Sequence, residues 1–201
     1  DATAKSFKLG GFEQADMKIS VSNFVDGINK QLQSDFAGNI GYGLLKKFAL
    51  TLDYQNKTVM LDDDPPKPDG TKFKLGKKPL ILVPVTIDGK GPFPCVIDTG
   101  ASATVISPEV AMQAGLKLGA KVPMLGATGT TTGQFAEITD LAIGENRKAN
   151  MKVVVADFFE GLSKATGEQV MGVIGFDFLR SYRVTIDYPH KTLVLKGNER
   201  E

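Results

Sequence analysis

Short apolar segments, broken by Gly, Pro and Asp, fill the last two thirds of the chain, and their spacing predicts strands. "LILVPVTIDGKGPFPCVIDTG", residues 80–100, alternates or runs apolar, and Asp88-Gly89 between Val83–Ile87 and Phe93–Ile97 is a hairpin signal. Ser107-Pro108-Glu109 then opens a short helix over "PEVAMQAG", with Ser107 as N-cap, Pro108 at the first helical position and Gly115 as terminator. "MLGATGTTTGQFAEITDLAIG" predicts two strands around a glycine- and threonine-rich tip at Ala127–Gly133. A further strand is expected at Met151–Val155 and a short helix in "FDFLRSY". "RVTIDYPHKTLVLK" predicts a closing hairpin that turns at Tyr188-Pro189-His190-Lys191. The expected fold class is mainly β.

The pattern repeats. At an offset of 134 residues, "MKISVSNFVDGINK" (17–30) lies over "MKVVVADFFEGLSK" (151–164), and "GNIGYGLLKKFALTLDYQNKTVML" (38–61) over "GVIGFDFLRSYRVTIDYPHKTLVL" (172–195). Positions 17–61 hold 16 identities in register, which points to duplication. Between the copies, "DDDPPKPDGTK" reads as an exposed linker. The expected organisation is therefore residues 1–62 as the second half of one unit, 63–72 as linker and 73–201 as a complete unit. The first copy lacks a counterpart of residues 73–140, which would stand ahead of Asp1. Half a unit cannot close a β core alone, so residues 1–62 must pack on the second unit, on another chain or on an upstream fragment.

Composition narrows the chemistry. A net charge of +1 with no basic block argues against nucleic acid or an anionic membrane as partner. The longest apolar runs fall far short of the roughly 20 residues that span a bilayer. One Cys and one His cannot supply the three or four side-chain ligands typical of a zinc site. Cys95 in a strand-like run and His190 in a turn also make a poor cysteine-protease pair, with no helix start to activate the thiol. The chain opens on Asp1 rather than Met, consistent with a leader or longer precursor removed ahead of it.

The remaining question is the carboxylate in "PFPCVIDTGASATVIS", residues 92–107. A carboxylate between apolar strands is costly to bury unless it is hydrogen-bonded or can become neutral, and two such groups can share one proton. Gly100 lets the chain turn sharply after Asp98, and Thr99 and Ser102 can hydrogen-bond nearby backbone or carboxylate oxygens. Asp177 and Asp187 read as structural, Asp187 with its repeat Asp53 as a turn stabiliser in the "DYxxK" hairpins.

With "VIDTGASATVIS", "LGATGTTTG" and "GVIGFDFL" in that order, residues 79–196 resemble the retropepsins, the retroviral-type aspartic proteases, and especially their bacterial members in exported proteins. The resemblance implies a closed β-barrel of the acid-protease type and an active site formed when two units pair about a two-fold axis, each giving one Asp. It implies Asp98 as the catalytic carboxylate, with Thr99, Gly100 and Ser102 supporting the dyad. Gly126, Ala127, Thr128, Gly129 and Thr130 form the flap over the substrate, and Val173, Ile174 and Gly175 pack under the loop. It further implies a peptide substrate bound as an added strand, no cofactor, and a periplasmic or secreted location. In the first copy Gly43 stands where Asp177 stands in the second. Two sources for the second Asp stay open: the missing upstream half, or a homodimer using Asp98 twice. The alternative function is a non-catalytic peptide-binding or scaffold protein.

Overall fold

The computed structural model describes residues 1–23, 26, 29, 33, 35–126 and 129–197. Two compact units divide at Gly41, ahead of the linker expected over 63–72.

In the first unit, β1 (Ala2–Leu9) and β2 (Phe12–Ile19) form an antiparallel hairpin whose register runs from Ala2↔Ile19 to Leu9↔Phe12. The turn needs a left-handed residue, and Gly10 adopts φ 57° there.

The second unit, from Tyr42 onward, holds two sheets. Helix α1 (Tyr42–Leu45), β3 (Ala49–Asp53) and β4 (Thr58–Asp62) precede the linker. The linker itself contains β5 (Thr71–Lys72), which pairs with β15 (Thr192–Gly197). Gly70 permits that approach, because a Cβ there would stand 2.6 Å from the Leu193 carbonyl oxygen. With β14 (Tyr182–Asp187) these strands give a five-stranded sheet in the order β4-β3-β14-β15-β5. β3 bonds along its whole length to β14, which is why residues 49–62 belong with the second unit. The pairing sets Thr51 opposite Thr185, and their hydroxyl oxygens lie 2.8 Å apart.

The larger sheet closes on itself. Its strands are β6 (Lys74–Leu75), β7 (Ile81–Ile87), β8 (Lys90–Ile97), β9 (Val105–Ile106), β10 (Lys121–Gly126), β11 (Gly129–Ile143), β12 (Asn146–Val155) and β13 (Gly172–Ile174). A ring β7-β8-β13-β9-β12-β11 is completed where β11 returns to β7 at Leu141↔Ile87 and Ala142↔Thr86. This is a closed barrel, and closure removes the free edges a β-sheet would otherwise expose. Val85, Ile87, Ile106, Leu141 and Ile143 are fully buried within the core. The Asp88-Gly89 hairpin forms as expected, both residues left-handed (φ 48° and 73°) as a type I′ turn requires. Helix α2 (Pro108–Gln113) starts on Ser107, whose Oγ accepts from the Val110 N–H, and α3 (Phe159–Thr166) and α4 (Phe176–Leu179) follow on either side of β13.

One strand begins earlier than expected. Of the tip predicted over Ala127–Gly133, Gly129–Gly133 lie instead in β11, with Gly126 paired to Gly129, while Ala127 and Thr128 lie outside the described residues. Threonine is β-branched and favours the strand over the loop.

Candidate active site

Asp98 follows directly on β8, whose last residues are buried and bonded in parallel to β13. The Asp98 N–H donates to the Ile174 carbonyl (3.1 Å), extending that ladder by one residue. The chain then turns: the Ala101 N–H donates to the Asp98 carbonyl (3.2 Å), and the Gly100 N–H to Asp98 Oδ1 (2.8 Å). This is an Asx-type turn, and a Cβ on Gly100 would crowd Oδ1 at 3.3 Å. Asp98, Thr99, Gly100 and Ser102 are all exposed. A carboxylate is thus held at the rim of the barrel, with one oxygen engaged by its own loop and the group open to solvent.

What immobilises the loop lies behind it. Thr104 is fully buried and donates twice to Asp177, from its N–H to Oδ2 (2.9 Å) and from its hydroxyl to Oδ1 (2.6 Å). The same hydroxyl accepts from the Gly175 N–H (3.2 Å), and Asp177 Oδ1 also accepts from the Phe178 N–H (2.8 Å). The Phe176 N–H donates to the Ala101 carbonyl (2.8 Å). Gly175 is required by this contact, since a Cβ there would meet the Ala103 carbonyl at 2.6 Å. Lys148 Nζ reaches the Asp177 carbonyl and Ser181 Oγ (2.8 Å), holding α4 from the other side. Burial and the nearby Arg180 push the Lys148 ammonium below its ordinary pKa.

Of the residues expected to pack under the loop, Ile174 accepts from the Asp98 N–H, Gly175 donates to Thr104, and Val173 pairs with Val96 in the β8–β13 ladder. Thr99 and Ser102, expected to hydrogen-bond in support of the carboxylate, make no side-chain hydrogen bond among the described residues. That anchoring falls to Thr104 and Asp177. Thr104 was not singled out from the sequence. Its only signal was one hydroxyl inside the apolar run "ATVI", which cannot be buried without a partner. Asp177, with three donors on its carboxylate, is occupied and is no candidate for a proton-exchanging partner of Asp98. Of the residues expected to form a flap, Gly126 pairs with Gly129 and Thr130 with Leu125 in the β10–β11 hairpin, and Ala127 and Thr128 lie outside the described residues.

The remaining reactive groups are unsuited to chemistry. Cys95 is fully buried beneath Gly172, and burial pushes its thiol up to about 12. His190 pairs through Nδ1 with the buried Asp187 (2.9 Å) in the closing turn, where Asp187 also accepts from the His190 N–H. No group of three or more potential metal ligands occurs among the described residues.

Residues 83–178 match the family model of aspartyl proteases. Among solved structures, the chain is similar to a retropepsin-like aspartic protease from Rickettsia conorii, with 17% identity over 63% of this chain and 85% of that one and a TM-score of 0.42. It is also similar to EIAV protease complexed with the inhibitor HBY-793, with 16% identity over 52% of this chain and 88% of that one and a TM-score of 0.39. No curated protein sequence matches significantly.

Proposed function

We propose, on the premise that residues 83–178 carry the retropepsin-like fold of the aspartyl proteases, that Asp98 is one carboxylate of a dyad that hydrolyses peptide bonds. The observation that carries this reading is an exposed carboxylate on a loop fixed from behind by Ile174, Thr104 and Asp177. A group positioned this way loses little freedom when it meets substrate, which is how preorganised acid–base catalysis works.

The chemistry follows from pairing Asp98 with a second carboxyl. At a separation of about 3 Å both cannot ionise, so one stays neutral while the other is charged. The charged carboxylate takes a proton from a water molecule as its oxygen attacks the scissile carbonyl carbon, and the neutral carboxyl donates its hydrogen bond to the carbonyl oxygen. A proton then passes to the leaving nitrogen as the C–N bond breaks. An extended peptide would lie along the β10–β11 hairpin as an added strand.

The experiment is cleavage of a denatured protein by the complete gene product, with Asp98→Asn beside wild type. Asn keeps the shape of Asp but cannot exchange the proton, so kcat is expected to fall by at least ~10²–10⁴-fold with folding intact. Activity should peak in acid and survive a metal chelator. An Asn variant as fast as wild type refutes the dyad. A complete protein that binds peptides without cutting them leaves the scaffold reading.

A further inference from the structure

The source of the second carboxylate is legible in three features that do not involve Asp98. The first is backbone geometry. Among the described residues ahead of the linker, the left-handed positions are Gly10, Asp16, Gln33 and Lys57 (φ 57°, 49°, 49° and 55°), and each recurs 134 residues later at Gly144, Asn150, Gly167 and Lys191 (φ 59°, 54°, 69° and 50°). The hairpin registers recur with them: Ala2↔Ile19 and Leu9↔Phe12 in one, Ala136↔Val153 and Ile143↔Asn146 in the other. Asp53 accepts from the Asn56 N–H and side-chain amide as Asp187 engages the N–H and ring of His190.

The second is symmetry. β3 and β14 are repeat partners, and they pair antiparallel about Thr51 and Thr185, themselves separated by the repeat offset of 134. A half-turn about that pair carries β3–β4 onto β14–β15. On one side β15 continues to β5, at Thr192 and Leu193; on the other, β4 ends the sheet, and the equivalent positions are Thr58 and Val59.

The third is burial. Ile19, Val21, Ile40 and Val59 are exposed, whereas their counterparts Val153, Val155, Ile174 and Leu193 are buried in one cluster with β7 and β8. Within the second unit, Val59 on β4 is therefore an apolar position that no strand of the described residues covers, whereas its counterpart Leu193 is covered by β5.

We infer that the β4 edge receives a β half-unit built like residues 73–135, encoded ahead of residue 1, which adds a strand at Thr58–Val59 and brings the second Asp of the dyad. This rests on the reading of Asp98 as half of such a dyad. The occupant's chemistry follows from what buries the second copy, and its place follows from the order of the repeat, in which residues 73–135 precede the counterpart of β1. A second copy of this chain fits poorly. Its own residues 73–140 are committed to its barrel, and β14 is bonded along both edges, to β15 and β3, leaving no edge for a symmetric pairing.

The test compares the complete gene product with the 201-residue chain. By hydrogen exchange, the amides of residues 57–62 should be at least tenfold better protected in the complete protein. Val59→Lys should leave the unfolding midpoint of the 201-residue chain unchanged but lower cleavage by the complete protein tenfold or more. The 201-residue chain alone should sediment as a monomer and cleave nothing. If it sediments as a dimer and cleaves, with Asp98→Asn abolishing that activity, a second copy supplies the carboxylate and the inference falls while the protease reading stands. Equal protection of residues 57–62 in both proteins also overturns it. If Asp98→Asn cleaves normally but those amides are protected only in the complete protein, the half-unit docks and the dyad reading is what fails.

Discussion

Val59 and Leu193 occupy equivalent positions in two hairpins of like register, yet Val59 is 62% exposed and Leu193 1%. The turns that set the two hairpins are alike down to the left-handed Lys57 and Lys191. What differs is the company: Leu193 lies against β5 and the core cluster, and β4 has β3 on one side only. The comparison separates two layers of folding. Turn chemistry and strand pairing are local and appear in both hairpins, while burial depends on an element supplied from elsewhere in the sequence.

The sharpest way to break this comparison is truncation on both sides. Leu193→Ala should destabilise the 201-residue chain by about 2–5 kcal/mol, and Val59→Ala by no more than about 0.5 kcal/mol, in denaturant melts. Equal costs would mean that β4 is covered in solution. Next in size is Asp177→Gly, which places at 177 the residue found 134 positions earlier at Gly43. It strands the buried Thr104 hydroxyl and N–H, at about 1–3 kcal/mol for each group left unsatisfied, and should lower kcat of the complete protein as the Asp98 loop loosens. Unchanged stability would show that the Thr104–Asp177 contact is not made in solution.

A smaller effect tests the symmetry itself. Thr51→Val and Thr185→Val each remove one partner of a single cross-strand hydrogen bond, so a double-mutant cycle should return a coupling of about 0.2–1 kcal/mol. A coupling of zero would remove that pair from the axis. The smallest concerns the twin turns. The Asn56 N–H and side chain hold the Asp53 carboxyl below its ordinary 3.8. A lowered folded-state pKa contributes stability that is fully present above the unfolded value and lost as pH falls through the folded one. The stability gap between wild type and Asp53→Ala should therefore be constant from neutral pH to about pH 5 and narrow below the ordinary carboxylate value. A gap that widens in acid would contradict the turn geometry.

Much of this molecule is written in short-range signals. Asp88-Gly89, Ser107-Pro108 and the "DYxxK" turns act over a few residues, through φ preferences and caps, and each forms where the sequence places it. The loop around Asp98 was legible for the same reason, as a carboxylate and a glycine between apolar strands. The loop-like tip expected over Ala127–Gly133 is contradicted at its far end, where cross-strand pairing with β10 carries the threonines between Gly129 and Gly133 into a strand.

The strand-and-turn rhythm, the offset of 134 and the carboxylate of Asp98 as a candidate for acid–base chemistry could be read from the sequence, because each is encoded by neighbours in the chain. Only the tertiary structure decided that β3 pairs with β14 rather than staying with residues 1–41, that the barrel closes through β11 and β7, and that Thr104 and Asp177, 73 residues apart, hold the Asp98 loop in place. Those are pairings between distant segments, and each depends on which buried polar groups and strand edges find partners when the whole chain folds, a condition that no local window contains.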